Sequence, residues 1–271
     1  MTSSGDTGVL LYAFGNHLVD YYKLANYATT LVHRYLDLPV CVVTDKTDFP
    51  FVAEYVVEQS KETEVGNRFY HDYGKAAPWH NVGRETGIDR SPFRYTLAID
   101  VDFLVMSPAL RKFVGRGIEL MLPRSTYELG SDHTRVYHTM GTQGMPAYWA
   151  TLIAWDRESV VAQSFFAAWK HVKANWLHYA GLFGLDGKLF RNDFAVTIAL
   201  YLVNGKVWSR DHDMPYTMVN LRSTSTIVDL NTAVNHGFVD VVIHPGRRPV
   251  RVQDYDVHCM NKKNLMEQLH G

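Results

Sequence analysis

The sequence predicts an α/β fold in which helices flank a central, mainly parallel sheet, and three features indicate it. Short, continuously apolar segments alternate with longer amphipathic segments, as strands alternate with crossover helices. Polar residues follow three of the strand candidates at Asn16, Asp45 and Asp100, and ligands bind at such carboxyl ends in parallel sheets. The chain has 271 residues, 46% of them hydrophobic, which is enough for a substantial core.

Charge and cysteine content narrow the class of protein. The 27 basic and 28 acidic residues nearly balance, so a strongly basic nucleic-acid binder is not indicated. Two cysteines, Cys41 and Cys259, cannot form a disulfide framework, which predicts a reducing cytoplasm. Residues 1–7 are polar and do not resemble a signal peptide. No apolar run reaches about 18 residues, so we expect no membrane span.

The amino-terminal elements follow from apolar runs and their periodicity. A buried strand is predicted over 8–15, and Asn16 is expected to open a long helix over 16–38 because apolar residues recur at three- and four-residue steps. Further strands are predicted at 39–45, 51–58 and 95–105. The polar segment 59–93 between them is expected to be a long functional loop with a short helix.

The second half of the chain continues the alternation. Strands are predicted at 118–123, 148–156, 206–209 and 240–244, and helices at 158–181 and 191–205, with a short helix ending the tail 255–271. Gly205 closes the helix that precedes it.

The most informative segment is YTLAIDVDFLV, residues 95–105, where an apolar strand runs into Asp100 and Asp102. Strand alternation would place both carboxylates on one side, where they repel each other and burial raises that cost. A hard divalent cation, Mg²⁺ or Mn²⁺, removes the conflict, because it prefers oxygen ligands and also binds phosphate. The alternative is that one aspartate caps a turn while the other is solvated.

At this point the chain resembles the nucleotide-sugar-dependent glycosyltransferases of the GT-A fold, most of all small bacteriophage-type members. The resemblance is carried by residues 11–45, 91–107, 148–156, 191–200 and 255–262. It implies one GT-A-like (Rossmann-like) domain over 1–271. Residues 1–105 would form the nucleotide-sugar-binding half, and residues 106–271 the acceptor half with a metal- and diphosphate-binding tail.

The resemblance also implies roles for the aspartate pair and the tail. Asp102 would bind the metal directly, and Asp100 would bind the ribose or the metal through water. His258 would be the third metal ligand, and Lys262 or Lys263 would bind the diphosphate. A surface histidine beside a helix start is the alternative for His258.

Four more residues are expected at the nucleotide. Asn16 would lie at a helix start that attracts anions or polar bases, and Thr44 and Asp45 would hydrogen-bond the base. Arg84 would contact the nucleotide or the diphosphate. The alternative for Asn16, Thr44 and Asp45 is a helix cap or a turn, and the alternative for Arg84 is a solvated charge in a loop.

Two carboxylates compete for the catalytic role. Asp193, in the RND segment that begins a helix, is expected to be the catalytic or sugar-binding carboxylate, unless it or Asn192 only caps the helix. Asp156, at the end of the 148–156 strand, is the competing candidate.

Together these features predict a metal-dependent transfer of a sugar from a nucleoside diphosphate, UDP favoured, to an acceptor hydroxyl. The phage resemblance suggests 5-hydroxymethylcytosine in DNA as acceptor, with the arginines of segment 244–251 meeting phosphates, and the host cytoplasm as location. A glycan or small-molecule acceptor stays open. A nucleotidyltransferase should carry a Gly-rich basic loop after the first strand, which is lacking here, and a non-catalytic binding module is the remaining alternative.

Overall fold

The structure is a computed structural model that describes residues 6–62, 66–80, 83–129, 135–185 and 189–270. The strands are β1 (Thr7–Ala13), β2 (Val40–Thr44), β3 (Tyr55–Glu58), β4 (Asn67–Tyr70), β5 (Lys75–Pro78), β6 (Tyr95–Ile99), β7 (Phe103–Leu104), β8 (Leu120–Met121), β9 (Ser125–Glu128), β10 (Arg135–Tyr137), β11 (Thr139–Met140), β12 (Met145–Pro146), β13 (Leu152–Asp156), β14 (Met218–Leu221), β15 (Thr226–Ile227), β16 (Phe238–Val242), β17 (Val250–Gln253) and β18 (Val257–Cys259). The helices are α1 (Tyr21–Leu36), α2 (Gly87–Arg90), α3 (Val160–Ala174), α4 (Trp176–Leu182), α5 (Asn192–Val203), α6 (Asn231–His236) and α7 (Lys262–His270), and 3₁₀ turns occupy Gly83–Thr86 and Pro108–Phe113.

The central sheet has six strands in the order β3-β2-β1-β6-β13-β8. The pairs from β3 to β6 are parallel, and β13 pairs antiparallel with both β6 and β8. The predicted α/β class with a mainly parallel sheet flanked by helices is therefore confirmed. Because β1, β2 and β6 are parallel neighbours, their carboxyl ends share one edge of the sheet.

Helices cover both faces of this sheet, and the pleat of β1 explains why its sequence is apolar throughout. Val9 and Leu11 lie in a buried cluster with residues of α1, such as Leu24. Leu10 and Tyr12 lie in a second cluster with residues of α3 and α5. Successive side chains of a strand point to opposite faces, so a strand between two helical layers needs apolar residues at every position.

A second sheet, in the order β10-β9-β14-β18-β7, adjoins the first through the Asp-x-Asp segment. The strand predicted over 95–105 is interrupted after Ile99: the backbone turns, with Phe103 N–H donating to Asp100 O at 3.0 Å, and enters β7. β7 pairs antiparallel with β18, which brings His258 opposite Phe103. The junction of the two sheets thus carries the aspartates.

The first helix begins later than the sequence predicted. Asp20, not Asn16, is its N-cap and accepts from Tyr22 N and Lys23 N at 3.1 Å. The Asn16 side chain instead closes a preceding turn, where it accepts from the backbone of Leu18 and Val19. Both residue types favour such local side-chain–backbone bonds, so the sequence signal was ambiguous between them.

Other predicted elements also differ. The long helix over 158–181 is divided at Asn175 into α3 and α4, and residues 206–209 form no strand. Segment 59–93 contains the β4–β5 hairpin besides the expected short helix, although residues 63–65 and 81–82 lie outside the described part. Most strands of the second sheet were not predicted from the sequence, because they are short and their pairing is non-local. Among the described residues, no helix is long and apolar enough to cross a membrane.

Candidate metal and donor site

The side chains of Asp100, Asp102 and His258 converge at the junction of the two sheets. One ligand atom from each lies within 4.8 Å of the others. The convergence results from the turn after β6 and from the β7–β18 pairing, in which Cys259 N–H donates to Asp102 O at 2.9 Å. Strand alternation, the reason given from the sequence, does not apply, because Asp100 and Asp102 lie beyond the strand end.

The donor set fits a hard divalent cation. Asp102 Oδ1 and His258 Nε2 are 3.7 Å apart, too far for a hydrogen bond. Two ligands at right angles on a cation with bonds of about 2.1 Å lie about 3 Å apart, so a small closure would allow both to bind one ion. Carboxylate oxygens suit Mg²⁺ and Mn²⁺, and an imidazole is compatible with the latter.

Asp102 is held ionised by its neighbours. Burial alone would raise the pKa of Asp102, but the adjacent Lys262 and His258 outweigh it and lower that pKa to about 2. Lys262, at the start of α7, forms an ion pair with Asp102 Oδ2 and donates to Cys259 O at 3.3 Å. Burial lowers the pKa of His258 to about 4 despite Asp102, so the imidazole is neutral at pH 7.

Asp100 is in a different position. Its side chain is 30% exposed and pairs with Arg84 Nη1 at 2.7 Å, while Arg84 Nη2 donates to Ala150 O at 2.6 Å. Desolvation raises the pKa of Asp100 to about 6, and Asp102 adds to the rise while Arg84 opposes it. Arg84, which was expected at the nucleotide, is buried, and its guanidinium is bound by Asp100 and by the Ala150 carbonyl oxygen.

Asp193 faces the same cavity from the first turn of α5. Its Oδ1 accepts from Ala150 N at 2.9 Å, and its Oδ2 lies 3.6 Å from Arg191 Nη2. The helix cap position is Arg191, so Asp193 is not the N-cap that the simpler sequence interpretation allowed. Its side chain remains 29% exposed and available to a ligand.

These residues line a cavity of about 450 Å³. The β4–β5 hairpin adds Arg68, whose guanidinium lies 5.8 Å from the Tyr70 ring centre and 5.7 Å from that of Trp79. Within the described part of the chain, no carboxylate lies within ion-pair distance of Arg68. The acidic residues of the cavity already have closer cationic partners, and the Arg68 charge acts on Asp102 only from a longer distance.

Asn16, Thr44 and Asp45, at the ends of β1 and β2, do not line the cavity that holds the aspartates. Thr44 is buried and its hydroxyl donates to Ala13 O at 2.8 Å, which makes it part of the sheet. Asp45 pairs with Lys61 at 3.0 Å and accepts from Tyr22 Oη. Asn16 contributes to a second cavity, of about 530 Å³. Its amide nitrogen donates to Tyr70 Oη and Pro78 O.

The competing carboxylate, Asp156, does not join the site. In the antiparallel β6–β13 pair it lies opposite Tyr95, at the amino end of β6, whereas Asp100 follows the carboxyl end. It is bound instead by two Arg94 nitrogens at 3.1 and 3.2 Å.

The arginines expected to meet DNA lie near the β16–β17 connection. Arg247 and Arg248 are exposed, while Arg251 donates twice to Asp240, each time at 2.9 Å. One of the three arginines is therefore already bound to a carboxylate.

Three site residues were missed in the sequence. Arg68 sat among other polar residues of the 59–93 segment and gave no distinct signal. Asn220 and Glu128 belong to β14 and β9, which were not predicted. A polar Asn inside the apolar run MVNL was the available clue, because a buried amide requires partners.

No protein-family model matches the sequence, and no curated protein sequence does either. Solved structures give weak similarities. The glycosyltransferase GlyE of Streptococcus pneumoniae matches with a TM-score of 0.43 at 8% identity, over 79% of this chain and 45% of its own. A galactosyltransferase LgtC complex with donor and acceptor sugar analogues matches with a TM-score of 0.43 at 8% identity, over 72% of this chain and 70% of its own. The bifunctional IspDF of Campylobacter jejuni matches with a TM-score of 0.37 at 11% identity, over 71% of this chain and 47% of its own. This chain thus spans less than half the length of GlyE and IspDF, and at such scores we draw no function from them.

Proposed function

We propose that the protein is a metal-dependent glycosyltransferase that uses a nucleoside diphosphate sugar as donor. The observation that carries the proposal is the Asp100, Asp102 and His258 cluster within a cavity that also holds Arg68, a cation with no ion pair among the described residues. A divalent cation held by the cluster would supply Lewis-acid neutralisation of the diphosphate leaving group.

The cavity's own charges support an anionic donor. Arg84, Lys262 and Arg191 balance Asp100, Asp102 and Asp193, so Arg68 leaves the lining with one positive charge. With a divalent cation the excess becomes three, which suits a diphosphate carrying two negative charges. Lys262 and Arg68 are proposed to donate to phosphate oxygens and stabilise the charge that develops as the sugar departs.

Asp193 is proposed to bind the sugar or to accept the proton of the attacking hydroxyl. The bond from Ala150 N fixes Oδ1, while Oδ2 lies 3.6 Å from Arg191 Nη2 in a side chain that is 29% exposed and can still reach a ligand. Asp193→Asn keeps an oxygen that can accept from Ala150 N, so it should retain donor affinity and lose most transfer. Separate donor-binding and transfer assays test this, and equal transfer by the variant would exclude Asp193 as base.

The nucleoside of the donor, with UDP favoured, is proposed to lie at the carboxyl ends of β1 and β2, where Asn16, Lys46 and Tyr22 line the second cavity. The acceptor stays a prediction from the sequence, as do a phage origin and a cytoplasmic location. Hydroxymethylated DNA is the first acceptor to assay, followed by glycans. Transfer to the DNA that is lost when Arg247 and Arg248 become alanine would support it.

The test of the donor site is thermal stability with a panel of nucleoside diphosphates, each with and without Mn²⁺. A ligand that binds only the folded protein raises the melting temperature by mass action. We expect a rise with one nucleotide that requires the metal and disappears in Asp102→Ala. If no nucleotide raises the melting temperature, the aspartate pair has another role and the proposal is wrong.

A nucleotidyltransferase is the alternative from the same sheet type. It should release pyrophosphate from a nucleoside triphosphate, whereas the proposed enzyme should slowly hydrolyse a nucleotide sugar to the nucleoside diphosphate without any acceptor. Metal-dependent hydrolysis also separates an enzyme from a binding module.

A further inference from the structure

A row of three buried polar side chains runs across the second sheet and ends at the metal cluster. Asn220 of β14 is the register partner of Glu128 of β9 on one side and of His258 of β18 on the other. Asn220 Nδ2 donates to Glu128 Oε1 at 2.8 Å, and Asn220 Oδ1 lies 2.9 Å from His258 Nδ1. All three residues are less than a tenth exposed, so these bonds do not compete with bulk water.

The Glu128 carboxylate determines the direction of every bond in the row. An ionised carboxylate only accepts, so Asn220 must turn its NH₂ group toward Glu128 and its carbonyl toward His258. The reversed amide would place its carbonyl oxygen 2.8 Å from a carboxylate oxygen, which is repulsive. Arg222 Nε lies 3.6 Å from the other Glu128 oxygen and is its cationic partner.

The Asn220 carbonyl in turn fixes the proton of the imidazole. Since an amide oxygen cannot donate, the short contact at Nδ1 requires that Nδ1 carry the hydrogen. In a neutral ring the lone pair then resides on Nε2. Nε2 is the nitrogen on the side of Asp102, at 3.7 Å from Oδ1.

We infer that Glu128 and Asn220 are positioning residues that hold His258 in the Nδ1–H form, so that its Nε2 lone pair is available to a divalent cation shared with Asp102. The part that concerns the cation rests on the proposed function. The assignment of the proton does not, because it follows from the hydrogen bonds of the protein alone.

The proton position is measured first, in metal-free protein. Nitrogen-15 NMR of histidine-labelled protein at pH 7 distinguishes the two neutral forms, and the His258 signals are assigned by their loss in His258→Gln. We expect a protonated Nδ1 and an unprotonated Nε2. A protonated Nε2 in the wild-type protein would overturn the inference whatever the metal does.

Two variants then test the row itself, with Mn²⁺ affinity measured by electron paramagnetic resonance. Asn220→Leu removes the acceptor at Nδ1 and should weaken Mn²⁺ binding about 10- to 100-fold, the usual effect of losing an outer partner of a metal-ligating histidine. The double variant Glu128→Gln with Asn220→Asp reverses the bond between these two positions yet keeps an oxygen facing His258. It should regain the Nδ1–H signal and most of the affinity.

Circular dichroism of each variant verifies that it is folded, and the double variant keeps the test valid should Asn220→Leu misfold. Unchanged proton position and Mn²⁺ affinity in folded Asn220→Leu would contradict the inference, as would a double variant that binds no better than Asn220→Leu. Wild-type protein with Nδ1–H that binds no Mn²⁺ would instead refute the metal centre of the proposed function.

Discussion

At the residue scale, the chemistry of the site depends on how each charge is paired. Asp102 is buried against Lys262, whereas Asp100 is partly exposed against Arg84. Two aspartates separated by a single residue therefore have opposite pKa shifts, one lowered to about 2 and one raised to about 6. Arg68 differs from the other cations of the cavity: it lies beside two aromatic rings and forms no ion pair among the described residues, although its charge helps to lower the pKa of Asp102.

The position of Arg68 in the cavity, without an ion pair to any described residue, gives a binding prediction. Arg68→Ala should weaken Mn²⁺-dependent binding of UDP or of inorganic pyrophosphate about 10- to 100-fold, since hydrogen bonds to charged groups contribute about 1.5–3 kcal/mol. Isothermal titration calorimetry measures both ligands. Lys75→Ala is the matched control, because Lys75 is exposed and faces Tyr70 in the same hairpin. An equal effect of both substitutions would mean that Arg68 only adds general charge.

The raised pKa of Asp100 gives a pH prediction. A cation binds the ionised carboxylate, so below about pH 6 it must displace a proton, and affinity falls as pH falls. Asp102 stays ionised and His258 stays neutral between pH 5 and 7, given their pKa values of about 2 and about 4. Mn²⁺ affinity should therefore drop about tenfold between pH 7 and pH 5. Asp100→Asn should bind more weakly with a flat profile, and a flat wild-type profile would refute the assignment.

At the element scale, one close approach fixes the β11–β12 hairpin against α4. The β11–β12 hairpin carries Gly141 and Gly144, both with positive φ, of 68° and 64°. A Cβ at Gly141 would lie 2.0 Å from the Phe183 carbonyl oxygen at the end of α4, whereas one at Gly144 would meet nothing within 4 Å. The two glycines share a backbone conformation but differ in their surroundings.

That difference yields a stability prediction. Gly144→Ala should cost about 1 kcal/mol for the left-handed backbone alone, a fall in melting temperature of about 2–4 °C. Gly141→Ala should lower it at least twice as far, because a backbone carbonyl cannot move aside as a flexible side chain can. Thermal denaturation gives the melting temperatures of the two variants. Equal decreases in melting temperature would mean that α4 shifts freely against the hairpin.

At the scale of the whole molecule, the two ends of β6 in the central sheet have different surroundings. The turn after β6 faces the cavity, while Asp156 lies at the amino end of that strand and binds Arg94. Carboxylates that look alike in the sequence, each following an apolar strand, are thus separated by the antiparallel direction of β13.

This separation predicts unequal effects of the same substitution. Asp156→Ala should leave the nucleotide affinity within about twofold of wild type and cost about 1 kcal/mol or less, because its ion pair is partly exposed. Asp102→Ala should abolish metal-dependent binding. Calorimetry with UDP and Mn²⁺ compares the nucleotide affinities of the two variants. A large loss of affinity in Asp156→Ala would mean that the amino end of β6 also takes part in binding.

The sequence by itself determined the α/β class, the strands of the central sheet and the Asp100–Asp102 pair, because burial of β1, β2 and β6 on both faces leaves continuous apolar runs that end in polar residues. Local signals could not distinguish Asn16 from Asp20 as a cap, nor Asp193 from Asp156 as a cavity carboxylate. Only the tertiary structure decided that Arg84 is bound to Asp100 and that Arg68 forms no ion pair within the described part of the chain. It also decided that Glu128 and Asn220 form the hydrogen-bonded row that ends at His258. Those relations depend on strand direction and register between segments far apart in the chain, which no short stretch of sequence encodes.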